Sequence, residues 1–246
     1  MTSSLTHEKQ RIRMLVWKRL EESGVAEFPK PIMGRIPNFI GAAAAADLLC
    51  SHSIYRGARV VKVGPDSPQR HVRKRCLMDG KLLIAPTPRI RDGFLMIDPQ
   101  KVPRSQLDFA STIKGSYYFG QKIRPEDIPE VDLIVIGSVA VTRDGWRLGK
   151  GEGYSEIEYA VLRMLNKVNE DTPIATTIHH LQLVESVPRE AFDVPVDYIF
   201  TEDRVLEVSP RNPRPPGIIW SLLPPKKLRE IPILGELREK MRDKAL

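Results

Sequence analysis

Three glycines in five residues, Gly149, Gly151 and Gly153, stand between a strand-like run and a helix-like run. A backbone free of side-chain bulk at alternate positions can turn its N–H groups onto a phosphate. Arg147 and Lys150 bring mobile positive charge beside that loop. Glu152, Glu156 and Glu158 bring negative charge to the same stretch and would repel a bare phosphate. A divalent cation between carboxylate and phosphate reconciles the two signs, because a hard cation takes oxygen ligands of both kinds. The spacing is neither that of the Walker loop nor that of the dinucleotide fingerprint. A tight strand-to-helix connection with no ligand is the plain alternative.

The elements that must position this loop follow from hydrophobic pattern. Residues 133–136 are a continuous apolar run, as in a strand covered on both faces. Ser155 and Glu158 have the spacing of a capping box, which predicts a helix starting at Ser155. Ile157, Ala160, Val161, Met164, Leu165 and Val168 then share one face at helical spacing. The helix N-terminus would turn its free N–H groups and positive dipole end toward the loop.

Near the N-terminus, residues 6–23 read as a helix capped by Thr6 and ended by Gly24, with Ile12, Leu15, Val16 and Leu20 as its buried stripe. Lys9, Arg11 and Arg13 lie on it, as a solvated basic face or as anion ligands. Residues 28–39 form a Pro- and Gly-punctuated loop, and residues 42–50 are helical by alanine propensity. Strands are predicted at 59–63, 82–85, 94–97, 133–136, 174–178 and 198–201. Strands alternating with helices predict an α/β fold: a three-layer, Rossmann-like domain with a mainly parallel sheet. After Val208 the composition changes. Residues 209–233 hold seven prolines, so irregular structure is expected there, with an apolar patch at Ile218, Ile219, Trp220, Leu222 and Leu223 lying across the domain surface. A short charged helix is expected over 234–244. The chain is thus divided into a domain, 1–208, and an extension, 209–246.

The 246 residues are 41% hydrophobic and 28% charged, ordinary for a globular protein, and no apolar run approaches a membrane span. No signal peptide is evident in the first residues, so a cytoplasmic location is expected. Cys50 and Cys76 lack the neighbours of a metal site and are expected to be reduced thiols. A net charge of +7 favours an anionic partner: a nucleotide, another anionic metabolite or nucleic acid. No RNA-recognition signature accompanies the charge, so a nucleic-acid-binding module is the weakest of these readings. His179 and His180, adjacent on a strand end, are expected to point to opposite faces and not to share a metal.

The run RLGKGEGYSE resembles the signature loop of the 5-formyltetrahydrofolate cyclo-ligases, also called methenyltetrahydrofolate synthetases. KQRIRMLVWKRL resembles the family's basic first helix, and LQLVESVPREAFDVPVDYIFTE its closing segment, so the resemblance spans most of residues 7–208. GRIPNFIGA and PDSPQR resemble the divergent branch of methenyltetrahydrofolate synthetase domain-containing proteins. The resemblance implies ATP and magnesium as cofactors and a folate substrate. It implies phosphorylation of the formyl oxygen of 5-formyltetrahydrofolate, then ring closure to 5,10-methenyltetrahydrofolate. It assigns nucleotide contacts to Lys9, Arg13, Gly149, Gly151, Gly153 and Tyr154, and charge stabilisation to Arg147 and Lys150. Glu156 matches the aspartate that helps hold magnesium, and Asp193 matches a second acidic position near the metal. Ser155 replaces the family's second aromatic. The family's folate-reading glutamate has no match in GAAAAADLL, where Asp47 is near but out of register. Arg35, Asn38 and Phe39 are therefore the candidates for a rebuilt substrate surface. The alternative is a paralogue that keeps the phosphate loop and takes another phosphorylated metabolite.

Overall fold

The computed structural model describes the backbone of residues 2–243 and the side chains of residues 4–240. Eight strands form one sheet: β1 (Val60–Val63), β2 (Leu82–Pro86), β3 (Phe94–Ile97), β4 (Gln121–Ile123), β5 (Leu133–Val135), β6 (Ile174–Thr177), β7 (Tyr198–Phe200) and β8 (Val205–Glu207). Their order is β8-β7-β6-β5-β1-β2-β3-β4. The central five, β7 to β2, are mutually parallel. β3, β4 and β8 pair antiparallel at the edges. All six predicted strands are present; β4 and β8 were not foreseen.

The strand period of two sorts the core into two layers. Leu133 and Val135 join Val61 and Val63 beneath helices α2 (Ala42–Ser51) and α3 (Arg70–Met78). Ile134 and Ile136 point the other way, toward helix α4 (Tyr154–Met164). The result is the three-layer α/β arrangement expected. Chain leaving β1 goes on to β2, on one side, while chain leaving β5 goes on to β6, on the other. The crevice beyond β1 and β5 is therefore the topological switch point, where open α/β sheets take their ligands.

Helix α1 (Thr2–Glu22) packs outside this sheet, against a small sheet of Ala140–Thr142, Arg147–Leu148 and Leu183–Val184. It already runs before Thr6, so Thr6 is not its cap. Its buried apolar residues are Ile12, Val16, Trp17 and Leu20, whereas Leu15 is 50% exposed. Helical geometry explains the correction: at 3.6 residues per turn Trp17 borders the Val16–Leu20 stripe and Leu15 falls away from it. Lys9 and Arg13 lie on that same buried side and are themselves buried.

The proline-rich segment is packed down. Buried Arg214 pairs with Asp197 and donates to the carbonyls of Glu170 at 3.0 Å and Thr172 at 2.7 Å. Ile218, Trp220 and Leu223 then rest on the apolar cluster that holds Ile134 and Val161. The segment is not wholly irregular, because helix α5 (Pro225–Glu230) lies inside it. Pro225 occupies the first turn, where a missing N–H costs nothing. A last helix, α6 (Pro232–Asp243), starts two residues earlier than predicted and adds Leu234 and Leu237 to the same cluster. Among the described residues no helix is long and apolar enough to cross a membrane.

Candidate functional site

A cavity of about 360 Å³ lies where four distant segments meet. Helix α1 contributes Lys9 and Arg13. The loop contributes Arg147, Gly149, Gly151 and Gly153, and the start of α4 contributes Glu156 and Ile157. A third segment gives Glu190, Phe192 and Asp193, and the proline-rich segment closes the far wall. The glycines have separate reasons. Gly153, at φ 71°, is the left-handed residue from which α4 starts. A Cβ on Gly149 would come within 2.8 Å of an Arg147 nitrogen.

Two of the four cations that line the cavity are matched to carboxylates. Lys9 Nζ donates to both oxygens of Asp193, at 3.0 and 2.7 Å, and to Glu190 at 2.8 Å. Arg147 donates to Glu156 at 2.6 Å and to the Gly137 carbonyl at 3.0 Å. Its Nε is buried and meets no acceptor among the described residues. Arg13 differs. Its Nε donates to the Gly149 carbonyl at 2.7 Å, which holds the loop, and it forms no ion pair among the described residues. Burial pushes the Asp193 carboxyl above the usual range even with Lys9 beside it. Burial acts the same way on Glu156, but Arg147, a backbone N–H and Lys9 together outweigh it and hold that carboxyl low.

The predicted capping box is absent. α4 begins at Tyr154 on Gly153 with no side-chain cap. Glu158 instead turns into the sheet and pairs with Lys62, both almost fully buried. Tyr154 and Lys150 border the cavity rather than line it. The Tyr154 ring lies under Lys227, whose Nζ is 3.1 Å from the ring centroid. Lys150 reaches Glu152 at 2.9 Å and Asp66 at 4.0 Å.

Arg35, Asn38 and Phe39 do not line this cavity. Phe39 is fully buried against Ala42 and Ala45. Asn38 braces its loop by donating to the Phe28 carbonyl at 2.9 Å, and Arg35 donates to the Pro31 carbonyl at 3.2 Å. Asp47 is on an exposed face, paired with Arg75. His179 and His180 do not point apart: a 3-10 turn at His180–Gln182 breaks the strand alternation, and their ring centroids are 4.3 Å apart. Both face Glu202. His179 Nδ1 accepts from the Leu181 N–H at 3.2 Å, so in the neutral ring Nε2 carries the proton and faces Glu202 at 3.5 Å. Sequence reasoning missed Glu190, Phe192 and the far wall, including Lys227. The only advance signal for the wall was its apolar patch among prolines.

Residues 5–202 match the model of the 5-formyltetrahydrofolate cyclo-ligase family. Methenyltetrahydrofolate synthase domain-containing protein of Mus musculus is 40% identical over 237 residues, covering 94% of this chain and 63% of its own length. The Homo sapiens protein of the same description is 37% identical over 235 residues, again 94% of this chain and 61% of that protein. The chain thus spans less than two thirds of these relatives. In solved structures, 5,10-methenyltetrahydrofolate synthetase of Aquifex aeolicus superimposes with a TM-score of 0.52 at 20% identity, over 83% of this chain and 95% of that one. That likeness concerns the fold.

Proposed function

Because the chain belongs to the 5-formyltetrahydrofolate cyclo-ligase family, we propose that its cavity binds ATP with magnesium and serves a cyclo-ligase-like reaction on a folate. One observation carries the reading: Lys9, Arg13, Arg147, the loop glycines, Glu156 and Asp193 come from distant parts of the chain onto one cavity. The donor set fits a hard cation, since Glu156 and Asp193 offer carboxylate oxygens. Bound there, magnesium would supply the positive charge those carboxylates otherwise draw from Arg147 and Lys9.

The side chains then have distinct tasks. Arg13 fixes the loop through the Gly149 carbonyl while standing beside the anion. Arg147, held by Gly137 and carrying a free buried Nε, presents fixed charge at the loop base. Positioning and charge stabilisation of this kind are what phosphoryl transfer asks of a protein. No side chain here need act as nucleophile.

The test is optical, because 5,10-methenyltetrahydrofolate absorbs where 5-formyltetrahydrofolate does not. Product that forms only with both ATP and magnesium, at a turnover anywhere up to the ordinary range of about 1–10³ s⁻¹, is the expected result. The absence of a glutamate from α2 sets the expectation at or below the lower end of that range. ATP binding with no product at all would retain the nucleotide site and point to a different phosphorylated substrate. No ATP binding would end the reading.

A further inference from the structure

The matched family region ends at residue 202, yet the cavity does not. Its far wall is Pro215 to Lys227, and that wall has two kinds of surface. Ile218, Trp220 and Leu223 pack against the core, which fixes the segment. Ile219 and Leu222 line the cavity without belonging to that cluster, and Leu222 is 48% exposed. Beyond them Lys227 also lines the cavity. Its neighbour Lys226 is within 3.7 Å of Glu230, but Lys227 forms no ion pair among the described residues. This partly buried ammonium lies over an aromatic face, and Glu152 and Glu230 act on it only from beyond ion-pair distance. Burial accordingly holds Lys227 below the usual lysine value.

Lys9 and Arg147 are already neutralised by Asp193, Glu190 and Glu156. That leaves Arg13 and Lys227 as cavity-lining cations without a carboxylate partner among the described residues. They stand on opposite regions of the chain, one on the first helix and one on the extension.

We propose that the Pro215–Lys227 segment is a working wall of the ligand site, in which Lys227 binds the ligand's anionic group and Ile219 and Leu222 receive its aromatic ring. This deepens the proposed function and rests on it for the identity of the ligand, a nucleoside triphosphate. An apolar wall beside a cation suits a ring carrying phosphates better than it suits phosphate alone.

The experiment is calorimetric titration of ATP–magnesium, inorganic tripolyphosphate–magnesium and 5-formyltetrahydrofolate into the full chain and four variants. Lys227→Gln should weaken both ATP and tripolyphosphate by about tenfold or more, the scale of a charge-assisted contact. Lys227→Arg should restore most of that loss, and the denaturation midpoints of both variants should match that of the wild type. Leu222→Ser should weaken ATP severalfold and leave tripolyphosphate unchanged. Lys226→Gln, on the same helix but 77% exposed at its side chain, is the control and should change neither. Unchanged or tighter ATP binding in Lys227→Gln would overturn the inference while leaving the nucleotide site standing. If wild type binds 5-formyltetrahydrofolate or tripolyphosphate but not ATP, and Lys227→Gln weakens that binding, the wall stands and the nucleotide reading falls. Wild type that binds none of the three probes overturns both.

Discussion

Glu156 and Glu158 sit two residues apart on one helix, and each pairs with a buried cation. Glu156 meets Arg147 on the cavity wall, its side chain 16% exposed; Glu158 meets Lys62 under the sheet, 5% exposed. The pairs differ in what else supports them. Arg147 also has the Gly137 carbonyl; with a backbone N–H and Lys9 it outweighs burial, so Glu156 is held below the usual carboxylate range. Lys62 has Glu158 alone among the described residues, and burial prevails, so the Glu158 carboxyl is pushed up. Residue type and helix position are shared; surroundings leave one carboxylate on the cavity wall and lock the other into the fold.

The sharpest way to break this comparison is to remove Lys62. Lys62→Ala should cost about 3–5 kcal/mol in urea unfolding at neutral pH, because it strands Glu158 as a buried unpaired charge. Lys62→Met with Glu158→Leu should recover most of that loss; a double variant as unstable as the single one would show that the pair does more than satisfy itself.

Removing Glu156 should cost less, about 1–3 kcal/mol, because Arg147 keeps a carbonyl partner and borders the cavity. The larger signature is in binding. Glu156→Gln should lose more of the magnesium-supported ATP affinity than of the metal-free affinity, measured by calorimetry with and without the metal. Equal losses would reduce Glu156 to a partner for Arg147.

Acid titration should separate the two carboxylates with a smaller effect of opposite sign. The depressed Glu156 contributes stability that is full above the ordinary glutamate value of about 4.3 and fades as pH falls through its lower folded value. The raised Glu158 contributes stability that is full below about 4.3 and fades as pH rises through its higher folded value. Unfolding series across pH should therefore show wild type gaining on Glu158→Gln toward acid, and losing ground to Glu156→Gln only in stronger acid. Parallel curves for the two variants would erase the distinction.

The least effect is expected at Ser155. With no cap formed at that residue, Ser155→Ala should change stability by less than about 0.5 kcal/mol. A loss near 1 kcal/mol, usual for a capping serine, would restore the box to which the spacing pointed.

That failure marks where the sequence stops being legible. The six predicted strands were readable because apolar and β-branched residues dominate them, with Lys62 the one charge inside a strand, as both-face burial demands. β4 was not, since Gln121 and Lys122 are exposed on an edge and carry no such pattern. The glycine loop declared itself locally, through spacing and neighbouring charge. The partner of Glu158 did not, because Lys62 is 96 residues away and nothing near the helix reports it. Lys9 and Asp193, 184 residues apart, were assigned to one site only through family resemblance, and their pairing was not foreseen. The far wall was visible as an apolar patch, but a patch does not say what it covers.

The scattered origin of the walls has a consequence for synthesis. Residues 6–13, the loop, Asp193 and Lys227 must all be present before the cavity is closed. A chain emerging N-terminus first displays the helix and the glycine loop long before Lys227 leaves the ribosome. The core strands can pair in that interval, but the site is open on one side. The cavity thus lacks its far wall until the chain is made through Lys227, and a single proteolytic nick between Val208 and Arg214 would cut the covalent link between that wall and a domain whose sheet is intact.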